Sequence, residues 1–156
     1  GYLDAGTHIT KPVSHIIDYV NTSPNKFLLL RNGDPIATRT KMDAVYKVLD
    51  NADSYSCEQF GKMYNVSGGF QFYKNNKKNR EFVEKWKHLL QDEHILNNEP
   101  SIKKNCSNFI EHRHDQSLLA LLLRKEGYEI EGENFPQKKL ITDVFGIHYH
   151  FKGREI

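Results

Sequence analysis

Helix-like and strand-like segments alternate along most of this chain, which predicts an α/β fold with a mixed, mostly parallel sheet flanked by helices. Two short apolar runs bounded by turn residues, at 27–31 and 66–73, read as buried strands. Two longer stretches of helical periodicity, at 79–91 and 115–126, read as helices that bury at least one face. With 156 residues, 38% hydrophobic and 27% charged, the composition suits one domain with a packed core and excludes a disordered chain.

The opening Tyr2-Leu3-Asp4-Ala5-Gly6 reads as a strand end running into a turn. Val13, Ile16, Ile17 and Val20 then recur at helical spacing, with Pro12 suited to a first turn, and the polar run 21–25 ends that helix. Asn32-Gly33-Asp34-Pro35 has the composition of a turn after the strand at 27–31. Thr40 and Asp43 have capping-box spacing and open a helix carrying Met42, Val45, Tyr46 and Leu49; a second short helix follows Ser54. The strand at 66–73 carries Gly68 and Gly69 near its start, where a bulge or the close approach of a ligand to the backbone requires missing side chains. Phe82, Val83, Trp86, Leu89 and Leu90 form one stripe, with Trp86 as a core anchor, and are expected to pack on the sheet beside Leu118, Leu119, Leu122 and Leu123. Residues 93–109 have irregular apolar spacing and read mostly as loop. Gly127 sits where a left-handed cap closes the helix at 115–126. The remaining strands are expected at 128–130 and 147–151, the latter placing His148 and His150 on one face.

Lys and Arg number 22 against 20 Asp and Glu, and a formal charge of +2 gives no field that points to nucleic acid. Lys74, Lys77, Lys78 and Arg80 read as a solvated loop and helix start. Cys57 and Cys106 make no CxxC and have no histidine at zinc-finger spacing, so they read as buried free thiols. No run approaches the roughly 18 apolar residues of a membrane span, so no transmembrane segment is expected. Free thiols and the lack of a targeting signal give a cytoplasmic expectation, with membrane association as a further option. Glycosylation tripeptides stand at Asn21, Asn65 and Asn105, a pattern common by chance.

Polar residues with a chemical look gather in Tyr2-Leu3-Asp4-Ala5-Gly6, Val66-Ser67-Gly68-Gly69-Phe70, Arg113-His114-Asp115-Gln116-Ser117 and His148-Tyr149-His150-Phe151-Lys152-Gly153. In this order they resemble the nucleotide-sugar glycosyltransferases of the A-type fold. The likeness is to glycosyltransferase family 8, and to bacterial capsular and lipopolysaccharide glycosyltransferases with an F-I-x-x-R-H-D-Q-S segment, here Phe109 to Ser117. It covers nearly the whole chain, including the helix at 79–91 after the glycine strand. In family 8 a strand ending Y-L-D-A-D holds the metal, N-S-G begins the acceptor-side strand, D-Q opens a helix beside the donor sugar, and H-F-x-G supplies a further ligand.

The resemblance implies a hexosyltransferase that moves sugar from a nucleotide-diphosphate donor to a glycan or lipid-linked acceptor. Such a reaction must neutralise a departing diphosphate, by a divalent cation or by fixed positive charge. Asp4 and either His148 or His150 would hold Mn2+ or Mg2+, and the shared face leaves the two histidines equivalent. The second aspartate of the family's D-x-D is Gly6 here, which leaves Lys152 and Arg154 as the other source of neutralising charge. Asp115 and Gln116 would be the catalytic pair at a helix start, while Asp4, Ser67, Gly68, Gly69, Arg113 and His114 would contact the donor with Lys152 and Arg154. Residues 1–156 would then be a single domain, the acceptor-side C-terminal portion of the enzyme, with the nucleoside-binding portion expected upstream. The competing reading is a non-catalytic module of such an enzyme that binds carbohydrate or a partner protein.

Overall fold

The computed structural model describes residues 1–5 and 7–128, and the strand pairing of 145–147. Its main sheet has the order β1 (Tyr2–Leu3), β4 (Tyr64–Tyr73), β3 (Phe27–Pro35). Two further strands, β2 (Thr7–Ile9) and β5 (Phe145–Ile147), pair as a separate ribbon with Thr7 opposite Ile147. The fold is mixed α/β as expected, but every pairing among the described residues is antiparallel rather than parallel. Pro35 pairs with Tyr64, and the Ile36 N–H bonds to the Met63 carbonyl at 2.7 Å. The helices between β3 and β4 therefore leave and return at one end of the sheet. A parallel pair requires them to cross over it.

Side-chain alternation along β3 divides the core. Leu28 joins Phe70 under α1 (Ser14–Thr22), against Ile16 and Val20. Phe27 and Leu29 face the other way, with Val66, onto α5 (Lys77–Leu89) and α7 (His114–Lys125). A third cluster unites α2 (Ile36–Arg39), α3 (Met42–Val48), α4 (Cys57–Gly61) and α6 (Glu93–Leu96). Helix α7 serves two clusters: Leu119, Leu122 and Leu123 face the sheet, and Leu118 and Leu121 face the small helices. That is why its leucines are buried all round. It also revises the expected packing, because Leu118 and Leu90 belong to the helical layer, while half-buried Trp86 touches both. Gly127 closes α7 with φ +72°, as a left-handed cap should.

Three local expectations change. Residues 32–35 continue β3 through a shift in register, with the Asp34 N–H bonded to Asn32 Oδ1 at 3.1 Å, so the turn-like composition makes a bulge instead of a reversal. The capping box belongs to α4, where Ser56 Oγ accepts from the Gln59 N–H and Gln59 Oε1 from the Ser56 N–H. Helix α3 has no local cap, and the buried Thr40 hydroxyl has no hydrogen-bond partner among the described residues. Instead the N–H groups of Lys41, Met42 and Asp43 donate to His112 Nδ1 (3.3 Å), Asn105 Oδ1 (2.8 Å) and Ser101 Oγ (3.1 Å). Reciprocally, the Asp43 carboxylate accepts from the Ile102 and Lys103 N–H groups at 2.7 and 2.8 Å and pairs with His94 Nε2 at 2.6 Å.

The cysteines are not free thiols: Cys57 and Cys106 form a disulfide, with Cα atoms 5.6 Å apart, that ties the loop after α6 to α4. Linear spacing could not reveal it, because the loop returns to α4 only through the caps it supplies to α3. Asn65 is fully buried and Asn105 is committed to capping, so only Asn21 among the glycosylation tripeptides presents an exposed asparagine. No helix among the described residues is long and apolar enough to cross a membrane.

Replacing both Cys57 and Cys106 by serine should cost about 2–4 kcal/mol, the usual range for a native disulfide closing a long loop. Denaturant melts with and without reductant measure this, and thiol-reagent labelling of the unfolded, unreduced chain would refute the pairing. Acid stability has two windows. Burial outweighs the hydrogen bond to the Ile95 carbonyl and, with the charges of Lys41 and His114, pushes the His112 imidazole from 6.5 down to about 4. Burial tends to raise the Asp43 pKa, but the Lys103 and Ile102 N–H groups, His94 and Ser101 prevail and hold it at about 2, below the ordinary 3.8. Each depressed pKa contributes stability above the unfolded value that is lost as pH falls through the folded one. Stability should thus decline between 6.5 and about 4 through His112, then between 3.8 and about 2 through Asp43. In urea melts across pH, His112→Asn should remove the upper decline, and an unchanged profile would contradict the assignment.

Candidate functional site

The middle of β4 departs from regular pairing in a way that its glycines permit. Val66 pairs with Arg31 and Gln71 with Leu29, so Ser67, Gly68, Gly69 and Phe70 all stand opposite Leu30 alone. This wide bulge is clasped by Gln71, whose buried side-chain amide donates to the Gly68 carbonyl at 2.7 Å and whose Oε1 accepts from the Tyr73 hydroxyl at 2.9 Å. On its far side β4 pairs with β1, with Leu3 opposite Phe70.

Two elements close on the bulge. Asp4 leaves β1 with its N–H bonded to the Gly69 carbonyl at 3.0 Å, and its own carbonyl accepts from the Thr7 N–H at 2.9 Å, closing a turn. A β-carbon at Gly69 would fall 2.7 Å from Asp4 Cγ, and one at Gly68 would fall 3.3 Å from Gln116 Cβ. Gly69 therefore makes room for the Asp4 carboxylate, and Gly68 for the first turn of α7. Tyr2 joins them: its hydroxyl donates to Asp4 Oδ1 at 2.9 Å. That hydrogen bond, the Asp4 charge, slight burial and the charge of Asp115 raise the phenol above its ordinary value. Asp4, Gly68, Gly69, Asp115 and Gln116 thus gather at one end of the bulge from three distant parts of the chain.

Helix α7 presents Asp115 and Gln116 without using them. Asp115 does not cap the helix: Arg113 is the N-cap residue, and the Asp115 carboxylate makes no hydrogen bond or ion pair among the described residues. Its backbone is held by Trp86, whose indole N–H donates to the Asp115 carbonyl at 3.2 Å. Buried Ser117 pins the helix start, donating to the Arg39 carbonyl at 2.7 Å and accepting from the Arg113 N–H at 3.2 Å. An exposed carboxylate in a helical first turn also sits in the favourable field of the helix dipole.

The flanking residues are more committed. Arg113 Nη2 pairs with Glu111 Oε1 at 2.7 Å, and that oxygen also takes Arg39 Nη1 at 2.9 Å. His114 adopts φ +44°, an uncommon conformation for a non-glycine residue, with Nε2 hydrogen-bonded to Asn98 Oδ1 at 2.8 Å. His112 has both ring nitrogens engaged, by the Lys41 N–H and the Ile95 carbonyl, and cannot serve as half of a zinc pair with His114. Ser67 lies in the bulge beside Gly68. His148, His150, Lys152 and Arg154 lie outside the described residues; Ile147, just before His148, pairs with Thr7 in the strand after Asp4. Among the described residues no group of three or more His, Cys, Asp or Glu side chains could hold a metal ion, and Asp4 is the one residue of the expected ligand set that is placed.

Sequence reasoning missed Gln71, Trp86 and Tyr2 as supports of the site. Gln71 had a legible signal: Phe70 and Phe72 take one face of β4, so the glutamine between them must enter the opposite, buried face. Tyr2 and Trp86 act through contacts across 2 and 29 residues that no local pattern announces.

Gly69→Ala should leave stability within about 1 kcal/mol, because the colliding group is the end of a mobile side chain. It should displace the Asp4 carboxylate and release Tyr2. Followed by NMR, the Tyr2 phenol titration should fall toward its ordinary range in Gly69→Ala and in Asp4→Asn, and no change in either would refute the contact. No protein-family model, no curated protein and no solved structure matches this chain.

Proposed function

We propose that the chain is the acceptor-side portion of a nucleotide-sugar-dependent glycosyltransferase, moving a hexose from a nucleoside diphosphate to a glycan or lipid-linked acceptor. The observation that carries this reading is the meeting of Asp4, the Gly68–Gly69 bulge and the Asp115–Gln116 helix start. The two glycines let Asp4 and Gln116 close onto the strand, which brings the exposed Asp4 and Asp115 carboxylates together where a donor sugar's hydroxyls could be bound. In this reading Asp115 and Gln116 face the reacting carbon and its hydroxyls. Asp4 contacts the donor and, with His148 or His150, holds Mn2+ or Mg2+; that ion, when bound, would neutralise charge on the departing diphosphate. Lys152 and Arg154 provide the same neutralisation from side chains. Arg113 and His114 orient sugar hydroxyls or phosphate, with Ser67 beside them. The Cys57–Cys106 disulfide removes the free thiols behind the cytoplasmic expectation and weighs toward an oxidising compartment.

Calorimetry against uridine and guanosine diphosphate sugars, with Mn2+ present, tests the reading. Millimolar binding is expected, weakened severalfold by Asp4→Ala and by Asp115→Ala, because contacts at the sugar and diphosphate survive even where those to the base do not. No heat with any nucleotide sugar would sink the proposal. Binding of free saccharides alone would establish the carbohydrate-binding module instead.

A further inference from the structure

Next to the start of α7 lies a cavity of about 260 Å³, walled by the loop after α6 and by the segment that leads into the helix. Its lining includes Asn98, Glu99, Asn105, Phe109, Ile110 and Glu111. Three of the four polar side chains among these are already fixed through one atom. Asn98 Oδ1 is taken by His114, Asn105 Oδ1 by the Met42 N–H, and Glu111 Oε1 by Arg39 and Arg113. Glu99 makes only a long contact from Oε2 to His94 Nδ1 at 3.6 Å. Each keeps a second atom without a partner among the described residues: the amide groups of Asn98 and Asn105, Oε1 of Glu99 and Oε2 of Glu111.

Two amide donors and the Glu111 acceptor, held in place by their other atoms, with the less constrained Glu99 carboxylate beside them, are complementary to neighbouring hydroxyls, each of which can donate to a carboxylate and accept from an amide. Phe109 and the 65% exposed Ile110 add an apolar surface against which the C–H face of a sugar ring can lie. The volume is just below the lower end, roughly 300 Å³, of sites for drug-sized ligands, and suits one ring. Spare carboxylate oxygens disfavour an anionic sugar. The cavity adjoins the segment that leads into α7, since Asn98 bonds to His114 and Glu111 pairs with Arg113.

We infer that this cavity is a subsite for one neutral pyranose of the acceptor, a deepening of the reading under Proposed function on which it rests. Lys41 lines the same cavity, but its ammonium is saturated by Asn97 Oδ1 and the carbonyls of Asn97 and Glu99, and gives an anion no free donor.

The test is NMR titration of the full chain with methyl glycosides of glucose, galactose, mannose and N-acetylglucosamine, with glucuronate as the anionic control. Expected is millimolar binding of at least one neutral glycoside, with shifts in the side-chain amide signals of Asn98 and Asn105 and at least fivefold weaker binding of glucuronate. Asn98→Asp keeps the acceptor oxygen for His114 and exchanges the spare donor for an acceptor, so it should weaken the glycoside about tenfold, as loss of a hydrogen bond to a held group does. Ile110→Trp, at an exposed position, should block the mouth with the fold retained. Shifts that map elsewhere, equal affinity in Asn98→Asp, or no binding of any glycoside would each overturn the inference. Glycoside binding here without nucleotide-sugar binding would leave the subsite standing as a saccharide site and remove the transferase reading.

Discussion

The start of helix α3 is the constraint on which the rest of the structure depends. Seven residues cannot hold a helix by propensity, and the N–H groups at its start are buried with no local cap. They are satisfied by His112, Asn105 and Ser101, which lie 71, 63 and 58 residues further along. The exchange is mutual, since the Asp43 carboxylate takes two N–H groups of the same loop. A loop of irregular sequence thereby gains one path, and the disulfide to α4 fixes its far side. The chain leaves it at His112 with little freedom, and the Arg113 N–H meets the Arg39 carbonyl at 2.9 Å as α7 begins. Asp115 and Gln116 therefore owe their position to the helical layer, although they face the sheet.

Asp4 and the bulge owe theirs to the sheet. The three extra residues in β4 cannot follow the ladder, so their backbone turns away from Leu30 and needs a replacement partner, which the Gln71 amide supplies. Glycine at 68 and 69 is a matter of clearance on two sides, from Gln116 and from Asp4. Because α7 packs on the bulge and also on α3, the two halves of the site are set by one helix buried on both faces.

Elements with strong periodicity were legible: α1, α5 and α7 fall close to the residues their apolar spacing indicates, and Gly127 marks the end of α7. Direction of pairing was not, since alternation of strand and helix is the same whether the connection crosses the sheet or returns to the same end. Thr40 and Asp43 had the spacing of a cap, yet spacing cannot say that the threonine hydroxyl is buried away from the helix and that the aspartate serves a distant loop. In the site, the glycine pair announced the bulge through the physics of missing side chains. The approach of Asp4 to Gly69 was not legible, since nothing in residues 1–5 points toward residue 69.

Charge at the site says what must complement it. Asp4 and Asp115 both act on the Tyr2 phenol, yet neither makes an ion pair with a described lysine or arginine. The guanidiniums of Arg39 and Arg113 are already shared with Glu111, and that of Arg39 with Asp34 as well. Two exposed carboxylates of like sign resist the approach of a diphosphate, which carries further negative charge. Neutral hydroxyls meet no such resistance, and a free carboxylate is a good acceptor for them. Under the proposed transferase reading, the described part of the site would suit the sugar end of a donor, and the diphosphate end would need a cation between it and Asp4. In that reading Lys152, Arg154 or an ion held with His148 or His150 would supply the sign; the described chain shows only that Ile147 pairs with Thr7, three residues after Asp4.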